Sequence, residues 1–158
     1  MTTSQVGGII IYKGTGQTIS GVQIYNNVVY RNSTYGGTSG GIRVSSGPAG
    51  TKIWNNTVHA NKGWGINVQT GSTNTIVQNN ISFANTSGQI SNTGSGSILN
   101  ANLTTDPRFV NASAADFNLQ TSSPAINKGV ILSSVKTDIR SVSRPKGSTH
   151  DIGAYEVQ

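Results

Sequence analysis

Asn27, Asn56, Asn80 and Asn102 stand in one phase of this sequence, at steps of 29, 24 and 22 residues, and three positions before each stands an aliphatic residue, Ile24, Ile53, Val77 or Leu99. A second phase carries Ile9, Ile42, Ile66 and Ile90, at steps of 33, 24 and 24, followed two residues later by Ile11, Val44, Val68 and Asn92. Alternation confined to so few residues predicts short strands, not helices. Each unit reads as strand, Gly-rich turn, strand, Asn turn, short third strand and loop. A unit this short cannot bury an apolar face alone, so the units must stack. Four of them fit in the chain, and about three suffice for a stable solenoid.

The repeat decides how composition is to be taken. Only 34% of the 158 residues are hydrophobic and 10% are charged, a mixture that elsewhere signals disorder. A periodic aliphatic column instead implies a surface that becomes buried. The length suits one domain. With no cysteine the chain has no disulfide framework, thiolate nucleophile or thiolate metal site. The opening "MTTSQVGG" has neither a basic segment nor a long apolar one, and no stretch approaches the roughly 18 apolar residues of a membrane span. The expectation is a soluble chain without a membrane partner.

Charge is divided unevenly. The net value is +6, yet Met1 to Asn100 contains no Asp or Glu, against Lys13, Arg31, Arg43, Lys52 and Lys62. The acids Asp106, Asp116, Asp138, Asp151 and Glu156 all lie in the last third, among the remaining bases. A basic repeat region suggests acidic partners. Five scattered cations without a basic run do not make the footprint of a nucleic-acid binder, although aromatics are interleaved with them.

Asparagine suits the turn because its amide both donates and accepts, and because it tolerates left-handed backbone. Stacked coil on coil, the amides become a ladder. Asn27, Asn56 and Asn80 are therefore assigned to scaffold.

The spaced "GI-x-V … I-x-NN-x-V" units resemble the right-handed parallel β-helix repeats of the pectate-lyase-like superfamily. The series "DPRF … DFNLQ … SPAINKG … RP … DIGAYE" is similar to the C-terminal segment of secreted bacterial β-helix proteins that act on, or bind, polysaccharides. The resemblance covers nearly the whole chain. It implies an all-β fold, a right-handed single-stranded parallel β-helix of about four coils over residues 1–104, followed by an irregular capping segment, residues 105–158, in the same domain. It also implies a secreted protein with polysaccharide as partner. It does not name an activity, because lyases, hydrolases, epimerases and non-catalytic modules share the scaffold. No amphipathic N-terminal helix precedes the first coil, so a homodimer through that uncapped coil is a further expectation.

The last third is expected to run back along the solenoid and cover its C-terminal end. Pro107, Pro124 and Pro145 break regular structure, while Phe109, Phe117, Leu119, Ile126, Ile139 and Ile152 supply apolar anchors. Its acids are expected to make turns and arginine pairs, Asp106 or Asp138 with Arg108, Arg140 or Arg144.

Chemistry is then a matter of elimination. Most glycoside hydrolysis needs two carboxylates about 5–10 Å apart, and Ca²⁺ takes six to eight oxygen ligands; the coils contain no carboxylate. His59 and His150, without cysteine or a coil acid, make no zinc site, and the Gly-rich runs are turns, not phosphate cradles. No metal and no cofactor is expected. One catalytic reading remains, a metal-independent lyase cleaving a uronate-containing glycan by β-elimination, with His59 as base, Tyr30 as acid and Arg43 supplying charge. The preferred reading is binding. Ile24, Ile53 and Val77 point inward, so Tyr25 and Trp54 point outward beside Gln23 and Lys52. One coil rise of about 4.8 Å would set the two rings side by side as a sugar-stacking platform, which Trp64 and Tyr35 could extend. A polysaccharide-binding or accessory module of a carbohydrate-degrading system is the function expected from the sequence.

Overall fold

The structure is a computed structural model, and it describes residues 7–32, 38 and 40–157. Tyr35 and the first six residues lie outside that set. Each coil begins on a longer strand: β1 (Gly7–Tyr12), β4 (Gly40–Ser45), β7 (Trp64–Val68) and β10 (Gly88–Asn92) form one parallel sheet in the order β1-β4-β7-β10. A second parallel sheet contains β2 (Gln23–Tyr25), β5 (Lys52–Trp54), β8 (Ile76–Gln78) and β11 (Ile98–Asn100). A third contains β3 (Val28–Tyr30), β6 (Thr57–His59) and β9 (Ile81–Phe83). An isolated bridge between Ile81 and Leu103 continues this sheet into the last coil. This is a right-handed parallel β-helix, in which each of the first three coils gives one strand to every sheet and the last gives strands to the first two.

Registry follows the sequence columns. Ile24, Ile53, Val77 and Leu99 are direct partners across the second sheet. Ile9, Ile42, Ile66 and Ile90 are partners across the first. Ile42, Val44, Ile53, Val58, Ile66, Val68 and Val77 are at most 1% exposed and form the solenoid core. Each buried aliphatic side chain of this size contributes about 1.5–3 kcal/mol relative to exposure.

Two amide ladders close the corners. Asn27 donates its Nδ2 to Asn56 Oδ1 at 2.9 Å, Asn56 to Asn80 at 3.0 Å and Asn80 to Asn102 at 3.0 Å. The residue before each of the first three ladder members takes left-handed backbone: Asn26, Asn55 and Asn79 have φ of 54°, 47° and 57°. The second ladder stands at the end of the third sheet. Asn32 donates to Asn61 at 3.0 Å, Asn61 to Asn85 at 2.9 Å, and Asn85 ends on Gln89 Oε1 at 3.0 Å. It repeats the 29- and 24-residue steps of the first.

After Leu103 the repeat stops. Strands β12 (Phe109–Asn111) and β13 (Asp116–Leu119) make an antiparallel hairpin around a short 3-10 turn. Phe109, Phe117 and Leu119 form a second core with Ile81, Ala125 and Ile152. The chain then runs along the flank of the coils, bonded to the left-handed asparagines. Val130 exchanges hydrogen bonds with Asn79 at 2.7 and 2.8 Å, Asn26 donates to Thr137 O at 2.7 Å, and Asn55 donates to Asp151 O at 3.1 Å. The expected cover of the C-terminal end is therefore corrected: the segment reaches back to the first coil, and on the last coil Ile98 and Leu99 remain 55% and 43% exposed.

Arg144, Asp138, Asp151 and Glu156 of this segment are buried. Arg144 and Glu156 form a salt bridge at 2.6 Å with both side chains fully buried. Arg144 also donates to the carbonyls of Asp151 and Gly153. Glu156 accepts the Lys146 and Asp151 amides, and Asp151 accepts those of Asn127 and Val157. Of the expected pairs, Asp138 with Arg140 forms at 3.5 Å, whereas Arg144 pairs with Glu156 and Asp106 caps its own loop by accepting the Arg108 amide.

Candidate functional site

Of the two sites expected from sequence, one is wholly in register and each is partly covered. Tyr25 pairs with Trp54 across β2 and β5, and Gln23 with Lys52. Tyr25 is 43% exposed, but Trp54 is only 6% exposed, and its indole N–H has no hydrogen-bond partner. The cause is the returning segment. Held to Asn79 by Val130 and to Asn26 by Thr137, residues 130–137 must cross the rung that lies between, where Trp54 stands. The Lys52 ammonium sits 5.0 Å from the Trp54 ring centroid. The open two-ring platform is thus corrected to one exposed ring, Tyr25, beside a covered one.

Tyr30, His59 and Phe83 are direct partners across the third sheet. The hairpin packs against this column and leaves Tyr30 38% exposed. His59 stacks on Phe83 at 5.9 Å and meets the edges of Phe109 and Phe117 at 5.6 and 5.5 Å, while Tyr30 contacts Phe117 at 5.0 Å. Burial, and secondarily the charge of Arg31, hold the imidazole below its ordinary pKa, against a raising contribution from the Phe83 backbone. Arg43 is on β4, in the first sheet, so His59, Tyr30 and Arg43 do not share a face. This arrangement is an aromatic seam that fastens the hairpin to the coils.

The first sheet carries a surface that sequence reasoning did not single out. Its outward column runs Ile10, Arg43, Asn67 and Ser91 in register. An open groove of about 430 Å³ lies over it, lined by Trp64, Asn67, Gln69, Ser91 and Thr93 together with Thr38, Ser46 and Thr70. Trp64 is the first residue of β7, not a loop residue, and is partly exposed. Its ring lies against the next coil at Gly88, whose φ is 136° and where an added Cβ would come within 2.3 Å of the ring. Only glycine leaves room for the indole there. Asn67 is nearly buried and donates to Thr38 O at 3.5 Å, and Thr70 and Thr93 are linked at 3.2 Å. None of the lining residues is acidic. The available signal was the outward position of Asn67 between Ile66 and Val68, with Ser91 in the same phase after Ile90.

The groove offers an aromatic wall, amide and hydroxyl groups, and one guanidinium in register nearby. It has no carboxylate or imidazole to move a proton. Among the described residues no three His, Cys, Asp or Glu side chains stand close enough to hold a metal ion. A family model described as a right-handed β-helix region matches residues 2–130. No curated protein and no solved structure matches the chain.

Proposed function

Because the chain belongs to the right-handed β-helix family, a scaffold whose activity resides in grafted sites, we propose that it is a polysaccharide-binding or accessory module that works outside the cell on a glycan chain. The observation that carries this reading is the groove on the first sheet, where Trp64 faces amides and hydroxyls in a lining free of acids. Sugar rings present apolar C–H faces and a rim of hydroxyls. An indole fixed against Gly88 meets the first, and Asn67, Gln69, Ser91 and Thr93 can donate to and accept from the second. Arg43, Asn67 and Ser91 set one polar side chain on each of three successive coils, which suits a polymer lying across them.

The test is a panel of soluble and insoluble polysaccharides scored in the same wells for retention and for the absorbance of unsaturated product. Retention without product is expected, with Trp64→Ala reducing it at least tenfold. Product absorbance on a uronate polymer would replace binding by lyase chemistry, and undiminished retention by the Trp64 variant would remove the groove from the account.

A further inference from the structure

A second pocket, remote in sequence from the groove, lies in the returning segment. It has a volume of about 190 Å³ and is lined by Asn118, Leu119, Arg140, Tyr155, Glu156 and Val157. On β13 the alternation sends Phe117 and Leu119 into the second core, and Asp116 and Asn118 to the opposite face. Asp116 Oδ1 accepts both the Asn118 amide N–H, at 3.0 Å, and Asn118 Nδ2, at 2.6 Å. That leaves Asn118 Oδ1, in the pocket lining, as an acceptor without a protein partner.

Arg140 is fixed at three points. Its guanidinium lies 5.2 Å from the Tyr155 ring centroid, its Nε is 3.5 Å from Asp138 Oδ2, and its Nη2 donates to Glu156 O at 3.2 Å. Its Nη1 has no protein partner, and neither has the Tyr155 hydroxyl. Glu156, although it lines the pocket, turns its carboxylate inward to Arg144 and to the amides of Lys146 and Asp151. The ring of Tyr155 and the side chains of Leu119 and Val157 form the apolar part.

From this geometry we infer that the pocket is a second carbohydrate site, which takes a single uncharged pyranose unit through Asn118, Arg140 and Tyr155. An open amide oxygen on Asn118 and open donors on Arg140 and Tyr155, around an apolar wall, match a ring whose hydroxyls each donate and accept and whose C–H face is apolar. Charge selects the class. Asp116 and the buried Asp138 together outweigh Arg140, so a uronate carboxylate gains little, and the guanidinium opposes a cation. The dimensions suit one sugar, not a run of them. The site is therefore a terminal-residue or side-branch reader, independent of the groove on the first sheet, and it stands or falls apart from the reading of that groove.

The probes are the methyl glycosides of glucose, galactose and mannose, with methyl galacturonate salt as the charged comparison, titrated into the ¹⁵N-labelled chain. At least one neutral glycoside is expected to shift the amides of residues 116–119, 140 and 155–157 saturably. Asn118→Ala is expected to weaken that response at least fivefold, and Tyr155→Phe, which keeps the ring and the packing, by a smaller factor. Trp64→Ala is expected to leave it unchanged. Absence of saturable shifts with all three neutral glycosides overturns the proposal, as does a stronger response to the uronate. An Asn118→Ala variant that is folded by its amide spectrum and binds like the parent overturns it as well.

Discussion

In the coils the polar side chains that leave water are neutral amides and hydroxyls, whereas in the segment that runs back over them most are ionisable. The asparagine ladders repeat one hydrogen bond from rung to rung at 2.9–3.0 Å, and no carboxylate stands among them. The returning segment buries Arg144, Glu156, Asp151 and Asp138, each at 7% exposure or less. A repeat lets every amide find its equivalent one rung away. A segment without a repeat has no such partner and fills its hydrogen-bonding needs with carboxylates, each of which accepts from several backbone N–H groups at once. The two regions should therefore fail differently.

The largest effect is expected from breaking the ion pair on one side only. Arg144→Met leaves the Glu156 carboxylate buried without its cation and strands the Asp151 and Gly153 carbonyls, at a cost of about 3–5 kcal/mol. Urea unfolding would read this as a lowered midpoint, accompanied by protease cleavage after Leu103 before the coils are cut. Replacing both partners by apolar residues should recover most of the loss. A single variant within about 1 kcal/mol of the parent would show that the pair does not hold the segment.

The neutral region gives a smaller value. Asn56→Ala removes the Oδ1 that accepts two bonds from Asn27 and the Nδ2 that serves the Ile24 and Trp54 carbonyls. A buried group left without a partner costs about 1–3 kcal/mol, and part of the vacated space can be rehydrated, so a net loss within that range is expected. The loss should be the same at pH 5 and pH 8. A pH-dependent loss would mean that the ladder is coupled to the ions.

What could be foreseen divides along the same line. Ile24, Ile53, Val77 and Leu99 announce their registry because a stacked coil must place like on like, and the first ladder follows from the same spacing. The second ladder, Asn32, Asn61 and Asn85, was equally visible, since it keeps the same steps as the first. The face that residues 105–157 take was not, because no periodicity says which one an irregular chain will choose. The burial of Trp54 and the aromatic seam around His59 were hidden for that reason. Both depend on what crosses them, and neither strand records it. The groove at Trp64 was half legible: its outward residues can be counted from the strand, but the room for the indole comes from Gly88 on another coil.

Acid should separate the regions further. His150 is 1% exposed, and burial, aided by the Arg144 charge, lowers its pKa from 6.5 to about 4. Its folded value lies below its unfolded one, so the unfolded chain takes the proton first as pH falls. The stability contributed is full above pH 6.5 and is lost progressively toward pH 4. Glu156 works in the opposite sense. Burial raises its carboxyl above the ordinary 4.5, so the folded chain takes that proton first, and stability declines as pH rises through the window above 4.5. Between about pH 6 and 5, inside the histidine window, the His150 contribution is a fall in stability as the pH drops. His150→Phe, which removes a ring whose Nδ1 has no partner, should flatten the fall in melting temperature over that interval. An unchanged slope would assign the acid sensitivity to another group.

The smallest effect tests where the exposed aromatic face of the coils matters. Tyr25 keeps 43% of its surface in water, and its hydroxyl has no hydrogen-bond partner, while its neighbour Trp54 keeps 6%. Tyr25→Ala should therefore change stability by less than about 0.5 kcal/mol. Trp54→Ala, emptying a covered site, should cost about 3–5 kcal/mol. If the ring of Tyr25 is only an exposed side chain, its loss leaves polysaccharide retention intact, in contrast to the loss of Trp64. A fall in retention as large as that of Trp64→Ala, at unchanged melting temperature, would return the binding surface to β2 and β5 and make the covered Trp54 its support.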